Sequence, residues 1–137
     1  MTATLTSDLS SQERAVFLTG PVRGILRLEG LAAVVGAVGL YAHAGFSWPL
    51  FVVLFLAPDL GMLGYLAGPR VGAAAYNVVH TYVAPLVLAA AGALFASEPA
   101  VAVALIWAAH IGFDRALGYG LKYPTRFVDT HLGRVGR

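Results

Sequence analysis

The sequence has 137 residues, 58% of them apolar and 12% charged, with a formal charge of +2. Soluble domains carry about a quarter charged residues, so this composition points to the membrane. The charge is too small to suggest nucleic acid, and the lack of cysteine excludes disulfides, thiolate ligands and redox thiols.

Residues 1–20 read as a polar cytoplasmic segment, in which Ser10 and Ser11 cap a short interfacial helix running through Leu18. A basic stretch followed by an apolar core and a small-residue cleavage site is missing there. The first spanning helix is therefore expected to direct insertion itself. Residues 21–137 are expected to form one transmembrane domain of four helices, at about 23–42, 49–67, 70–95 and 98–120, followed by a polar tail over 121–137.

The first helix is rich in Ala and Gly, with Ala32 and Gly36 four residues apart, a spacing that permits close helix approach. Such faces would also allow a homodimer. Gly45 and Ser47-Trp48-Pro49 form a turn, with Ser47 as N-cap and Trp48 at the membrane interface. In the second helix Pro58 removes a backbone donor and frees the Leu54 carbonyl, so a kink or local unwinding is predicted beside Asp59. The third helix carries Tyr76, Asn77, His80 and Thr81 within one and a half turns, then Pro85, which predicts a second kink. Ser97 caps the fourth helix, where His110 and Asp114 share a face four residues apart, with Arg115 next to them.

All nine Lys and Arg residues fall on one side of this arrangement, so the positive-inside rule places both termini in the cytoplasm. The expected location is a cell membrane, the bacterial inner membrane, crossed several times.

Ionisable residues within spans are costly, about 2.5–3.5 kcal/mol for Asp or Arg near a helix centre, and default to functional hypotheses. At ~1.5 Å per residue, Asp59, His80 and His110 lie roughly 12–16 Å from the cytoplasmic helix ends. By the same rise Glu29, Asn77 and Asp114 lie near ~9–10 Å. This predicts one polar chamber fed by all four helices, an upper His/His/Asp layer above a lower Glu/Asn/Asp layer. Arg115 points to another face, either snorkelling to lipid phosphates or neutralising an acid.

Neutral imidazoles with carboxylates suit Zn, Fe or Mn, so Asp59, His80, His110 and Asp114 are candidate metal ligands. Asp114 and Asp59 are also the candidate catalytic groups. Tyr76, Asn77, Glu29 and Arg115 are expected around them. Ionised Asp59, Asp114 and Glu29 against Arg115 leave a charge of minus two, which calls for a divalent cation. Axial ligation of haem by His80 and His110 is disfavoured, because propionates and two aspartates would repel.

The leading expectation is a metal-dependent membrane enzyme of hydrolase or oxidase type, acting on a lipid or other apolar substrate. The alternatives are a proton- or ion-coupled carrier, to which broken helices are suited, and a structural membrane interaction protein.

The segments APDLGMLGYLAGPRVGAAAYNVVHTY and HIGFDRALGYGLKYPTRFVDTHLGRVG resemble a bacterial family of small integral membrane proteins catalogued as a domain of unknown function. The resemblance runs from about Arg23 to the end. It implies a four-helix membrane protein whose tail, through DTHLGR, belongs to the folded unit, and it carries over no catalytic residues.

Overall fold

The structure, a computed structural model, describes residues 20–135. The interfacial helix expected between Ser10 and Leu18 lies outside the described residues. Among the described residues, four segments are long and apolar enough to cross a membrane: Pro21–His43, Trp48–Ala67, Pro69–Leu94 and Glu98–Leu117. They are compatible with a multi-pass membrane protein. The first and fourth are α1 (Pro21–His43) and α5 (Glu98–Leu117). The second joins α2 (Trp48–Leu54) to a 3-10 helix (Ala57–Ala67), and the third joins α3 (Pro69–Val79) to α4 (Val83–Leu94).

Each span opens with proline in its first turn, where the missing N–H is one that a helix leaves unpaired anyway. Ser47 and Ser97 do occupy N-cap positions, but their side chains make no capping hydrogen bond. The fourth helix stops at Leu117, three residues earlier than expected. Gly118 adopts φ 95° there, and Tyr119 N–H donates to the Asp114 carbonyl while Gly118 N–H donates to that of Arg115. That reciprocal pair is a Schellman ending, which takes up two otherwise orphaned carbonyls.

The unwinding predicted at Pro58 extends through the whole second half of the span. In a 3-10 helix side chains three apart eclipse each other, so Pro58, Gly61, Gly64 and Ala67 form one stripe of small groups. α3 packs against this element. A Cβ on Gly61 would stand 2.6 Å from Val79 Cγ2, and one on Gly64 2.7 Å from Ala75 Cβ. At a rise of about 2.0 Å per residue the eleven-residue element reaches about 22 Å, against about 16 Å for an α-helix of equal length.

The third span breaks between His80 and Tyr82, just before Pro85. α5 supplies partners for the carbonyls that the break strands. Trp107 Nε1–H donates to the Val79 carbonyl at 2.6 Å, and Arg115 Nη2 to the His80 carbonyl at 2.8 Å. Leaving such groups unpaired in an apolar interior would cost several kcal/mol each, which accounts for donors at both.

α5 is the central element, packing against α1 and α4 and, to a lesser extent, α2. α1 and α5 cross where Gly30 meets Gly112. A Cβ on either would come within 2.8 Å of the other's carbonyl oxygen. At the α1–α2 turn, buried Tyr41 packs with Ala102 and Ile106, and its ring meets Phe46, Trp48 and Phe51. Phe51 stacks on Phe55, and Phe55 meets the His110 ring edge-on, so this aromatic column ends at the polar residues of α5.

The tail folds back onto the helices instead of hanging loose. β1 (Asp129–Thr130) and β2 (Gly133–Arg134) form a short antiparallel hairpin, with Asp129 opposite Arg134 and Thr130 opposite Gly133. Thr130 and Leu132 are buried, and Phe127 meets the Tyr65 ring. Asn77 on α3 clamps the tail in both directions. Its Nδ2 donates to the Lys122 carbonyl at 2.8 Å, and its Oδ1 accepts from Lys122 N–H at 2.7 Å.

Candidate metal centre

The 3-10 helix, the end of α3 and α5 each bring residues to one point. His80 sits at the break, as the residue that ends α3, with φ −112° and ψ 15°. Asp59 is carried by the first turn of the 3-10 helix. His110 and Asp114 stack one turn apart on α5. One ligand atom from each of the four residues lies within 4.8 Å of every other.

His80 Nε2 is 3.1 Å from His110 Nε2 and 3.5 Å from both Asp59 Oδ1 and Asp114 Oδ2. His110 Nε2 is 3.5 Å from Asp59 Oδ1 and 3.9 Å from Asp114 Oδ2. Metal bonds of 2.0–2.1 Å arranged tetrahedrally would set their ligand atoms about 3.3–3.4 Å apart. The separations bracket that figure.

The proton on His80 is placed by the backbone. Its Nδ1 is 2.9 Å from the Tyr76 carbonyl, which can only accept, so Nδ1 carries the hydrogen and Nε2 turns a lone pair to the cluster. The Tyr76 ring lies flat on the His80 ring, 3.6 Å between centroids, and its hydroxyl donates to Asp114 Oδ2 at 2.8 Å. Tyr76 thereby orients two of the four groups. His110 is held differently. Its Nδ1 is buried without a hydrogen-bond partner, and its ring is positioned by Phe55. The two imidazoles are sealed off, whereas the Asp114 and Asp59 side chains keep 14% and 32% exposure. The cluster therefore opens on the Asp59 side.

The two-layer chamber is not what forms. Asp114 joins Asp59, His80 and His110 in one group, because side chains of different reach converge across a difference in backbone depth. Asn77 turns to the tail instead. Glu29 is exposed and lines a separate cavity of about 160 Å³ with Tyr82, Arg115 and His131. Among the described residues the first span thus adds no side chain to the group. Arg115 neither snorkels nor pairs with an acid. It is buried, and donates to the carbonyls of His80 and Tyr119, which locks the break in place.

Lys122, the only lysine in the sequence, belongs beside the site and was not expected there. Its Nζ donates to the Phe127 carbonyl at 2.9 Å and stands 3.7 Å from the Phe127 ring centre and 4.8 Å from that of Tyr76. Burial pushes the ammonium below its usual range, against the opposing pull of Asp114 and Asp59. Its solitary use among eight arginines was the one available signal, since only the fold of the tail brings it to Tyr76. With Glu29 outside the group and the Lys122 ammonium beside it, net charge alone no longer demands a metal. The convergence of the four ligand atoms is the argument that remains.

No curated protein and no solved structure matches the chain. The family model of the domain of unknown function DUF4260 matches residues 23–135, most of the length, and the chain belongs to that family.

Proposed function

We propose that this protein is a metal-dependent membrane enzyme of hydrolase or oxidase type, with one divalent ion (Zn, Fe or Mn) held by Asp59, His80, His110 and Asp114. The observation that carries the reading is the convergence of two imidazole nitrogens and two carboxylate oxygens at separations of 3.1–3.9 Å for the five pairs that involve a histidine. A hydrogen-bond network alone accounts for the arrangement less well, because with Asp114 Oδ2 served by the Tyr76 hydroxyl, His80 Nε2 and Asp59 Oδ1 are both acceptors and His110 Nε2 has at most one proton for the two. Imidazole and carboxylate are ligand types that suit Zn, Fe or Mn. The Nδ1–H of His80 on a carbonyl is the usual outer support of a metal-bound imidazole; His110 lacks that support.

The ion would polarise a substrate oxygen or activate a water. Asp59, the most exposed of the four, is the group that would exchange for water or act as base. The test is metal analysis of protein purified in mild detergent without chelator or an imidazole step, beside the His80→Ala/His110→Ala variant. One equivalent in the parent and none in the folded variant is expected. Equal trace metal in both would refute the reading. A proton- or ion-coupled carrier would then stand, favoured by the 3-10 element and the third-span break meeting at the cluster.

The basic residues support placing both termini on the cytoplasmic side of a bacterial inner membrane. Single cysteines at the exposed positions Arg70 and Thr125 should be shielded from an impermeant thiol reagent in intact cells, and cysteines at Gly45 and Ser97 should react. The reverse pattern would overturn the orientation.

A further inference from the structure

Beside the cluster lies a groove of about 280 Å³ bounded by apolar side chains, among them Ala57, Pro58, Val79, Val103, Ile106 and Trp107. Its lining residues adjoin the site along the chain. Pro58 precedes Asp59, Val79 precedes His80, and Ile106 and Trp107 lie one helical turn before His110. Every one of these residues belongs to a segment apolar enough to span a membrane. Trp107 fixes one wall through its hydrogen bond to the Val79 carbonyl. The neighbouring Val53, Leu56 and Leu60 are exposed, as expected of side chains that face hydrocarbon.

We infer that this groove takes a single alkyl chain of a membrane amphiphile and presents the chain's polar end to the Asp59, His80, His110 and Asp114 group. The inference rests on the metal reading for the chemistry at that end, and stands on the groove for the chain. Three observations support it. The one polar side-chain group in the lining, the Trp107 N–H, is already bonded to the Val79 carbonyl, so water or a charged ligand would leave its hydrogen bonds unmade, whereas a hydrocarbon chain loses none. The volume sits at the low end of small-molecule sites, about 300 Å³, and suits one chain better than the body of a two-chain lipid. Finally, the three elements that line the groove beyond α2, namely the 3-10 helix, α3 and α5, also carry Asp59, His110 and Asp114 and lead into His80. Val103 and Ala57 are the side chains whose enlargement would fill the space.

Trp107 makes the test direct, because Trp48→Phe leaves it as the only tryptophan. The full chain is placed in phosphatidylcholine vesicles, a bromine-terminated alkanol is titrated in, and Trp107 fluorescence is followed. Saturable quenching is expected on top of the linear quenching caused by partition into the bilayer. Adding Val103→Phe or, independently, Ala57→Leu should abolish the saturable part while helix content and metal content match the parent. Purely linear quenching in the parent, or saturable quenching undiminished in both folded variants, would overturn the inference. The His80→Ala/His110→Ala variant separates the two readings. Saturable quenching with no metal in any protein upholds the groove and refutes the metal; bound metal with linear quenching alone refutes the groove.

Discussion

Replacing Asn77 with leucine should release the tail and leave the helices intact. The side-chain amide forms two hydrogen bonds with the backbone of buried Lys122, at 2.8 and 2.7 Å. Leucine is close in size and can form neither. Each lost bond is worth about 1 kcal/mol net, and stranding the buried Lys122 N–H and carbonyl adds to that, so about 2–4 kcal/mol in total is a fair range. At 1.4 kcal/mol per tenfold, the tail's opening equilibrium should shift about 30- to 700-fold. Amide hydrogen exchange read by mass spectrometry measures that shift, as a loss of protection over residues 121–135. Peptides from α1 and α5 are the internal reference and should be unchanged. Asn77→Asp keeps the acceptor for Lys122 N–H and should fall between the two. Unaltered protection in the tail would refute the clamp, and an equal loss in every span would show that Asn77 supports the helices and not the tail.

Tyr76→Phe keeps the ring on His80 and removes the hydrogen bond to Asp114, so metal affinity should fall about 10- to 100-fold in competition titrations with a chelator. Gly30→Ala would bring a methyl to 2.5 Å from Arg115 Cβ and 2.7 Å from the Ala116 nitrogen, and overpacking of about 1–3 kcal/mol should lower the thermal midpoint. Gly36→Ala, with nothing within 4 Å, is the control and should not lower it. Acidification should loosen the tail through His131. Burial, and then the charge of Arg115, hold its pKa below the ordinary 6.5, while Glu29 faces the same cavity. The released tail binds the proton more readily, so the stabilisation is complete above pH 6.5 and is lost as pH falls towards the lower, folded value. Protection factors corrected for intrinsic exchange should show this in the parent and not in His131→Gln.

The helical class, the four spans and the two proline-linked breaks were legible along the chain, because hydropathy, helix-breaking and turn chemistry are local properties. So were Asp59, His80, His110 and Asp114, since an ionisable group inside an apolar span is conspicuous wherever the span packs. What surrounds them was decided by tertiary structure. Depth along a helix says nothing about which way a side chain faces, so Glu29 shared a depth with Asp114 and yet lies outside the cluster. The single periodicity assumed for the second span hid the 3-10 stripe of Pro58, Gly61, Gly64 and Ala67, which exists because α3 packs close against it. Arg115 and Trp107 were assigned no role at the break, because a stranded carbonyl is a property of one helix and its donor a property of another. Lys122 reaches Tyr76 only after Gly118 turns the chain and Asn77 holds it.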